Sequence, residues 1–406
     1  MKRIGIVGLI LLYLGFRAVG AALAPARETD LEMFFLPSAK IALAGRPLHL
    51  YEVRLDVYPN ANGPLGMVPL TLVAAIAERL GVLDERVLFR VMVALAFSLF
   101  PLLMAREAVR TIELCRGEAL RGTHRLLVYG VFVLGPEVAM TRGHLEQPLM
   151  LWLLVASVRR LVEGRDARAG LLLGAALLTR TSALLYAPAL GLSLVGGGHW
   201  RRALRLAVST VLTVTLGLLP FALADGENLR YSLFTSHPLL PSLGGSLWEV
   251  VPGSALSAFG HLHDGTIALA ASVLLSAGAL ALRPRRVGPP TFALLAACGL
   301  CLPLFMKSVW AYYYVDAYVL LAIAWLASRR RSEAPGVDLR WLATGAVPLA
   351  ALLVGALTGY VVRTHHRSWT PRWSLTISLA TLAVLALVVA WLRRENSPRD
   401  LEAAGP

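Results

Sequence analysis

The stretch YPNANGPLGMVPLTLVAAIAERLGV, residues 58–82, is almost apolar enough to be a membrane span, yet it opens like a turn. Two prolines, two asparagines and two glycines fall within its first nine residues, the composition of a chain reversal rather than of a helix running straight into lipid. Whether this segment crosses a bilayer decides on which side every later loop lies. The question arises because the whole chain of 406 residues is 57% hydrophobic and 16% charged, with a mean hydropathy of +0.64. Soluble domains are about 45–50% apolar and about 25% charged. The composition is that of an all-α polytopic membrane protein.

Apolar segments near the ~20 residues that cross a bilayer fall at 4–24, 64–82, 87–105, 125–140, 148–162, 168–180, 181–197, 203–224, 266–282, 290–306, 310–328, 341–362 and 373–392. Between them sit seven basic clusters: Lys2/Arg3, the stretch 106–125, Arg159/Arg160/Arg165/Arg168, Arg201/Arg202/Arg205, Arg283/Arg285/Arg286, residues 329–331 and Arg393/Arg394. Cytoplasmic loops carry such clusters. All seven fall on one side only if 64–82 does not span, so that segment is read as a re-entrant or interfacial helix. The expectation is about twelve transmembrane helices, with interfacial helices in the first outer loop and both termini inside. The net charge of +14 is spread over these short clusters, which argues against a nucleic-acid partner.

Further readings follow from the same pattern. MKRIGIVGLILLYLGFRAVGAAL, residues 1–23, is longer than a signal-peptide core and is interrupted by Arg17, so an uncleaved signal anchor is expected. Residues 1–394 read as one membrane domain and 395–406 as a disordered cytoplasmic tail. Cys115, Cys298 and Cys301 lack the partners of a zinc site and are expected to pack. The Arg-, Ala- and Leu-rich composition suggests a bacterial cytoplasmic membrane.

This sidedness gathers the polar residues on the outer face. ARETDLEMFF, residues 26–35, packs Glu28, Asp30 and Glu32 into five residues. Thr29 and Glu32 have the spacing of a capping box, opening a surface helix. A carboxylate at a helix N-terminus is favoured as the anion, the form a general base needs. The next outer loop, TRGHLEQP at 141–148, carries Arg142, His144 and Glu146, with Glu137 just before it. Arg180 interrupts LLTRTSALL, where helices 168–180 and 181–197 are expected to kink. Lys307, in a chain where lysine is rare, precedes Trp310 and Tyr312–Tyr314. An aromatic belt explains the rings but not the lysine. Asp316 follows, inside the next span. Arg180 and Lys307 on one side have the character of a phosphate clamp, with interfacial snorkelling as the plainer reading. His261, His263 and Asp264 are metal-ligand types at loose spacing, within an outer loop expected over 225–265.

These motifs, in this order, resemble the GT-C superfamily of integral-membrane glycosyltransferases, in particular the bacterial polyprenyl-phosphate-mannose-dependent mannosyltransferases. The likeness rests on ETD at 28–30, AGRPLHLYEVRLDVYPNANGP at 44–64, GHLEQPLMLWLLVAS at 143–157, RAGLLLGAALLTRTSALLYAP at 168–188 and the K…YYY joint at 307–314. It covers most of residues 1–224 as a GT-C-like module and thins over the more variable helices of 225–394. Arg180 stands where the family usually has Lys, which keeps the charge and changes the hydrogen-bond geometry. The resemblance implies transfer of a hexose, mannose being expected, from a polyprenyl-phosphate donor to a lipid or glycan acceptor, with inversion, on the outer face. It implies Asp30 as general base with Glu28 beside it, Arg180 and Lys307 on the donor phosphate, and Arg142, His144, Glu146 and Tyr313 around the sugar or acceptor. No cofactor is required; a divalent cation is compatible with the acidic motif. A lipid or glycan flippase and an O-antigen-type ligase or polymerase remain as alternatives.

Overall fold

A computed structural model of the chain describes residues 2–23, 29–52, 59–120, 122–136, 144–236, 244–280, 287–328, 339–365 and 371–395. Among these residues the regular structure is helical, and the only strand-like pairings are isolated bridges. A segment surrounded by lipid must satisfy its backbone internally, and the helix does so. Each of the thirteen apolar segments forms helix. In chain order these are α1 (Lys2–Ala22), a π-helical turn (Leu31–Phe35) leading into α2 (Leu36–Leu43), α3 (Pro64–Arg79), α4 (Arg86–Phe97), α5 (Leu99–Arg116) and α6 (Gly122–Leu134). Then come α7 (Glu146–Val162), α8 (Asp166–Thr179), a 3-10 turn (Thr181–Leu185), α9 (Ala187–Gly196), α10 (Trp200–Arg230) and α11 (Ala255–Leu280). The chain closes with α12 (Pro289–Gly299), α13 (Cys301–Phe305), α14 (Tyr313–Ser328), α15 (Leu339–His365) and α16 (Pro371–Glu395).

Among the described residues six helices are long and apolar enough to cross a bilayer: Gly5–Ala22, Arg86–Arg116, Trp200–Thr235, Ala255–Leu280, Gly345–Val362 and Pro371–Arg393. The 58–82 stretch yields α3, only 16 residues long and outside that set. Its neighbours separate into inner and outer helices. A helix apolar on every side belongs in an interior, and α7 and α14 are buried along nearly their whole length. By contrast, α10 leaves Leu204, Val208, Val211, Leu212, Leu216, Leu219 and Leu223 uncovered, a face suited to lipid.

Small residues set the closest packing, as is usual where lipid removes the hydrophobic drive between helices. Gly170 and Gly174 on α8 face α10 so tightly that an added Cβ would lie 2.4 Å from Leu206 O and 2.6 Å from Thr213 Cβ. The hydroxyl of Ser157 donates to Ala169 O at 2.8 Å, tying α7 to α8.

Two boundaries differ from the sequence expectation. The basic stretch 106–125 is mostly helix: α5 runs to Arg116, Gly117 ends it at φ +68°, and α6 begins at Gly122. Glu107 lies inward there and pairs with Arg159, which also pairs with Glu163; mutual pairing lets these charges extend the helix. The expected 225–265 loop is shortened from both ends: α10 breaks at Asp225, at φ −157° and ψ 58°, but helix resumes to Arg230, and α11 starts at Ala255. Cys298 and Cys301 are buried, and none of the three cysteines is in a disulfide.

Candidate functional site

The turn after α1 divides its carboxylates between two tasks. Glu32 accepts hydrogen bonds from the Thr29 backbone N–H at 2.8 Å and from the Thr29 hydroxyl at 2.5 Å. Half of the capping box therefore forms: the Thr29 hydroxyl is spent on Glu32 instead of capping the helix. Arg90 of α4 also donates to Glu32, Nε to Oε1 at 2.6 Å. Burial favours the protonated acid, but Arg90 and Thr29 outweigh it and hold the Glu32 carboxyl below its ordinary value. With Glu32 fixed in this way, Asp30 faces elsewhere. Its Oδ2 lies 2.6 Å from Nε2 of His144, over a hundred residues further along the chain.

His144 stands between two acids. Its Nδ1 is 3.1 Å from Oε1 of Glu146, while the approach of Asp30 to Nε2 is a close charge contact without the alignment of a good hydrogen bond. Burial lowers the basicity of the imidazole, yet the charge of Glu146 and the contacts with Asp30 and Glu146 raise it on balance. The Glu146 carboxyl moves the other way: burial raises it, and His144 and Arg180 together pull it below its ordinary value. The three side chains grade from rim to interior, at 29%, 11% and 4% exposed for Asp30, His144 and Glu146. A cavity of about 10 Å³ lies against Glu146, lined in part by Phe35, Asn62 and Met67, room for about one water.

Arg180 is brought to this cluster by the stretch that opens α3. An added Cβ at Gly63 would sit 2.0 Å from Leu178 O, and one at Gly66 would sit 2.7 Å from Thr179 O. Only glycine lets the start of α3 lie this close to the end of α8. Asn62 then forms an antiparallel bridge with Arg180. Arg180 is extended, at φ −149° and ψ 129°, between α8 and the 3-10 turn, which is the expected kink. Its Nε is 3.8 Å from Glu146 Oε1, and its guanidinium lies 5.6 Å from the centre of the Tyr312 ring.

Beneath this layer is a second one. Asp316, on α14, accepts from the Gln147 amide at 2.6 Å and from the Tyr186 hydroxyl at 2.7 Å. The Gln147 amide also donates to Tyr312 O at 3.0 Å. Charges inside a bundle are usually paired and face its interior, and Asp316 follows that rule. Tyr312 packs on His144 with ring centres 3.9 Å apart and on Tyr313 at 4.8 Å.

Asp30, His144, Glu146, Arg180 and Tyr313 are thus neighbours, linked directly or through Tyr312. Lys307 is placed beside α11: it is buried, and its backbone N–H donates to Asp264 at 3.0 Å. Glu28, Glu137 and Arg142 lie outside the described residues, as do Arg283, Arg285 and Arg286, the cluster 329–331, residues 366–370 and the tail from 396. The His261, His263 and Asp264 trio disperses on α11: His261 pairs with Glu249 at 2.5 Å, His263 packs on Phe259, and Asp264 holds the Lys307 backbone. No group of three or more His, Cys, Asp or Glu able to hold a metal occurs among the described residues. Gln147 and Tyr186 lie within the stretches 143–157 and 168–188, but an amide and a phenol beside apolar residues carry no signal in the sequence until Asp316 is opposite them.

No protein-family model matches the chain, and no curated protein matches it.

Proposed function

We propose that the chain is a membrane glycosyltransferase that moves a hexose, with mannose as the expected sugar, from a polyprenyl-phosphate donor to a lipid-linked or surface-glycan acceptor. One observation carries this reading: Asp30, His144, Glu146 and Arg180, drawn from three separate segments, meet in a single chain of contacts. Asp30, the most exposed of them, takes the proton of an acceptor hydroxyl as that oxygen attacks the anomeric carbon. The bond from that carbon to the phosphate oxygen breaks, with inversion, and the lipid phosphate leaves with the electron pair. His144 orients Asp30, and Glu146 orients His144. Arg180 supplies positive charge where negative charge develops on the leaving group. Lys307 is assigned to the donor phosphate, and Tyr313, Arg142 and Glu28 to supporting roles, by the family resemblance alone.

The finer architecture belongs to this reading. About twelve spans of GT-C-like arrangement, with α2 and α3 at the interface, put the arginine-rich loops in the cytoplasm of a bacterial inner membrane and the site on the outer face. The membrane-buried donor lipid enters between helices, and no nucleic acid takes part.

The decisive experiment is Asp30→Asn in the purified full-length protein, given a polyprenyl-phosphate hexose. Transfer should drop about 10²–10⁴-fold, the usual worth of a positioned base, with donor binding retained. Undiminished transfer removes Asp30 as the base. Absence of transfer from any such donor by the unaltered protein favours a flippase instead.

A further inference from the structure

Two buried N–H donors at the opening of α3 are unspent. The side chain of Asn60 is almost wholly buried, at 1% exposed. Its Oδ1 accepts the Asn62 backbone N–H at 3.0 Å, which fixes the orientation of the amide and leaves Nδ2 with no acceptor. Arg180 is 8% exposed, and its Nη1 also has no acceptor. The two belong together, because Asn62 is the residue bridged to Arg180. Buried donors are nearly always matched. Here two are unmatched, one on Arg180 and one on Asn60, two residues before the bridge partner Asn62, and both can serve a group that only accepts.

We infer that Asn60 Nδ2 and Arg180 Nη1 together hold the phosphoryl oxygens of a lipid phosphate. The inference rests on the transferase reading of the site and adds Asn60 to it. The reason for an amide is electrostatic. Arg180 already faces Glu146 at 3.8 Å, and Asp30 and Asp316 stand nearby, so one guanidinium does not make the site positive. A neutral donor adds a hydrogen bond to an anion, which is stronger than one between neutral groups, without adding a cation that the three acids would capture. The lipid source follows from α3 itself. Val68, Leu72 and Ile76, four residues apart, form an exposed apolar row that begins one turn into α3. An isoprenoid chain laid along that row ends at the N-terminal end of α3, the end that carries Asn60.

The test uses the full chain in lipid nanodiscs with three probes: a polyprenyl monophosphate, the matching polyprenol and inorganic phosphate. Asn60→Asp retains the oxygen that accepts the Asn62 N–H and replaces the donor with an acceptor. It should weaken polyprenyl-phosphate binding about tenfold or more, the worth of a hydrogen bond to a charged group, and leave polyprenol binding unchanged. Asn60→Ala should weaken phosphate binding similarly, and covers the case in which the aspartate variant does not fold. Wild-type affinity for polyprenyl phosphate in a folded Asn60→Asp or Asn60→Ala protein overturns the inference, as does inorganic phosphate binding as tightly as the lipid. The two readings separate cleanly. Asn60-dependent binding without sugar transfer by the unaltered protein leaves this inference standing and removes the transferase. Transfer with no dependence on Asn60 does the reverse.

Discussion

Buried arginine–carboxylate contacts occur at both ends of α7 and α8, and they are built differently. At the arginine-rich end, Arg159 is shared between Glu107 and Glu163, and Arg202 holds Asp166 at 2.8 Å while also donating to Leu161 O. At the other end, Arg180 stands 3.8 Å from Glu146 with one nitrogen unmatched, and a histidine is wedged between two acids. The first arrangement spends its donors on the fold. The second keeps donors and titratable groups in reserve, the usual mark of a site rather than a staple.

The comparison can be broken most forcibly at Gly63. A Cβ there meets backbone at 2.0 Å, so Gly63→Ala must push α3 from α8 and carry Asn62 away from Arg180. Displacements of about 1 Å can cost about 100-fold in rate, and transfer by Gly63→Ala should fall by at least about that factor. An alanine variant with normal turnover would mean that the α3–α8 approach does not set the site.

The opposite end should respond in stability instead. Arg159→Met leaves Glu107 buried and unmatched, a loss of about 3–5 kcal/mol for a buried pair. Thermal unfolding in lipid nanodiscs should show a large drop in Tm, while the protein that remains folded transfers sugar at the normal rate. A selective loss of transfer with unchanged Tm would erase the distinction between the two ends.

The smallest effect is a dependence on pH, whose alkaline side only the histidine end of the two can produce. His144 is raised above its ordinary 6.5 in the folded chain. Its contribution to stability is therefore full below about 6.5 and is lost as pH rises through the raised value. Glu146 is lowered from its ordinary 4.5, so its contribution is present above about 4.5 and is lost as pH falls through the lowered value. Tm should decline on both sides of a plateau. His144→Gln should remove the alkaline decline, whereas Arg159→Met, in a chain of contacts with no histidine, should lower the plateau and keep the alkaline decline.

Much of this site is legible in the chain because charge in an apolar sequence is conspicuous. Asp30, His144, Glu146 and Arg180 each interrupt or border an apolar run, and the basic clusters lead to the expectation that they share one side. The split within ARETDLEMFF is half legible: the Thr29–Glu32 spacing predicts their contact, but the Arg90 guanidinium that fixes Glu32 and frees Asp30 comes from another helix. Lys307 shows the opposite case. Its rarity marks it in the sequence, and the packing of α11 places it beside Asp264.

By itself, then, the sequence determined a helical membrane chain and where its apolar segments lie, with ends that miss by up to three turns, and it led to the expectation of a polar end opposite its arginines. These follow from local hydropathy and charge, which each residue carries wherever it sits. Only the tertiary structure decided that YPNANGPLG brings Asn60 and Asn62 to Arg180, that Gln147 and Tyr186 meet Asp316, and that the 225–265 region is helix at both ends. Each of those depends on which helices touch, and a contact between distant segments has no local signature until the glycines that permit it are seen against the backbone they admit.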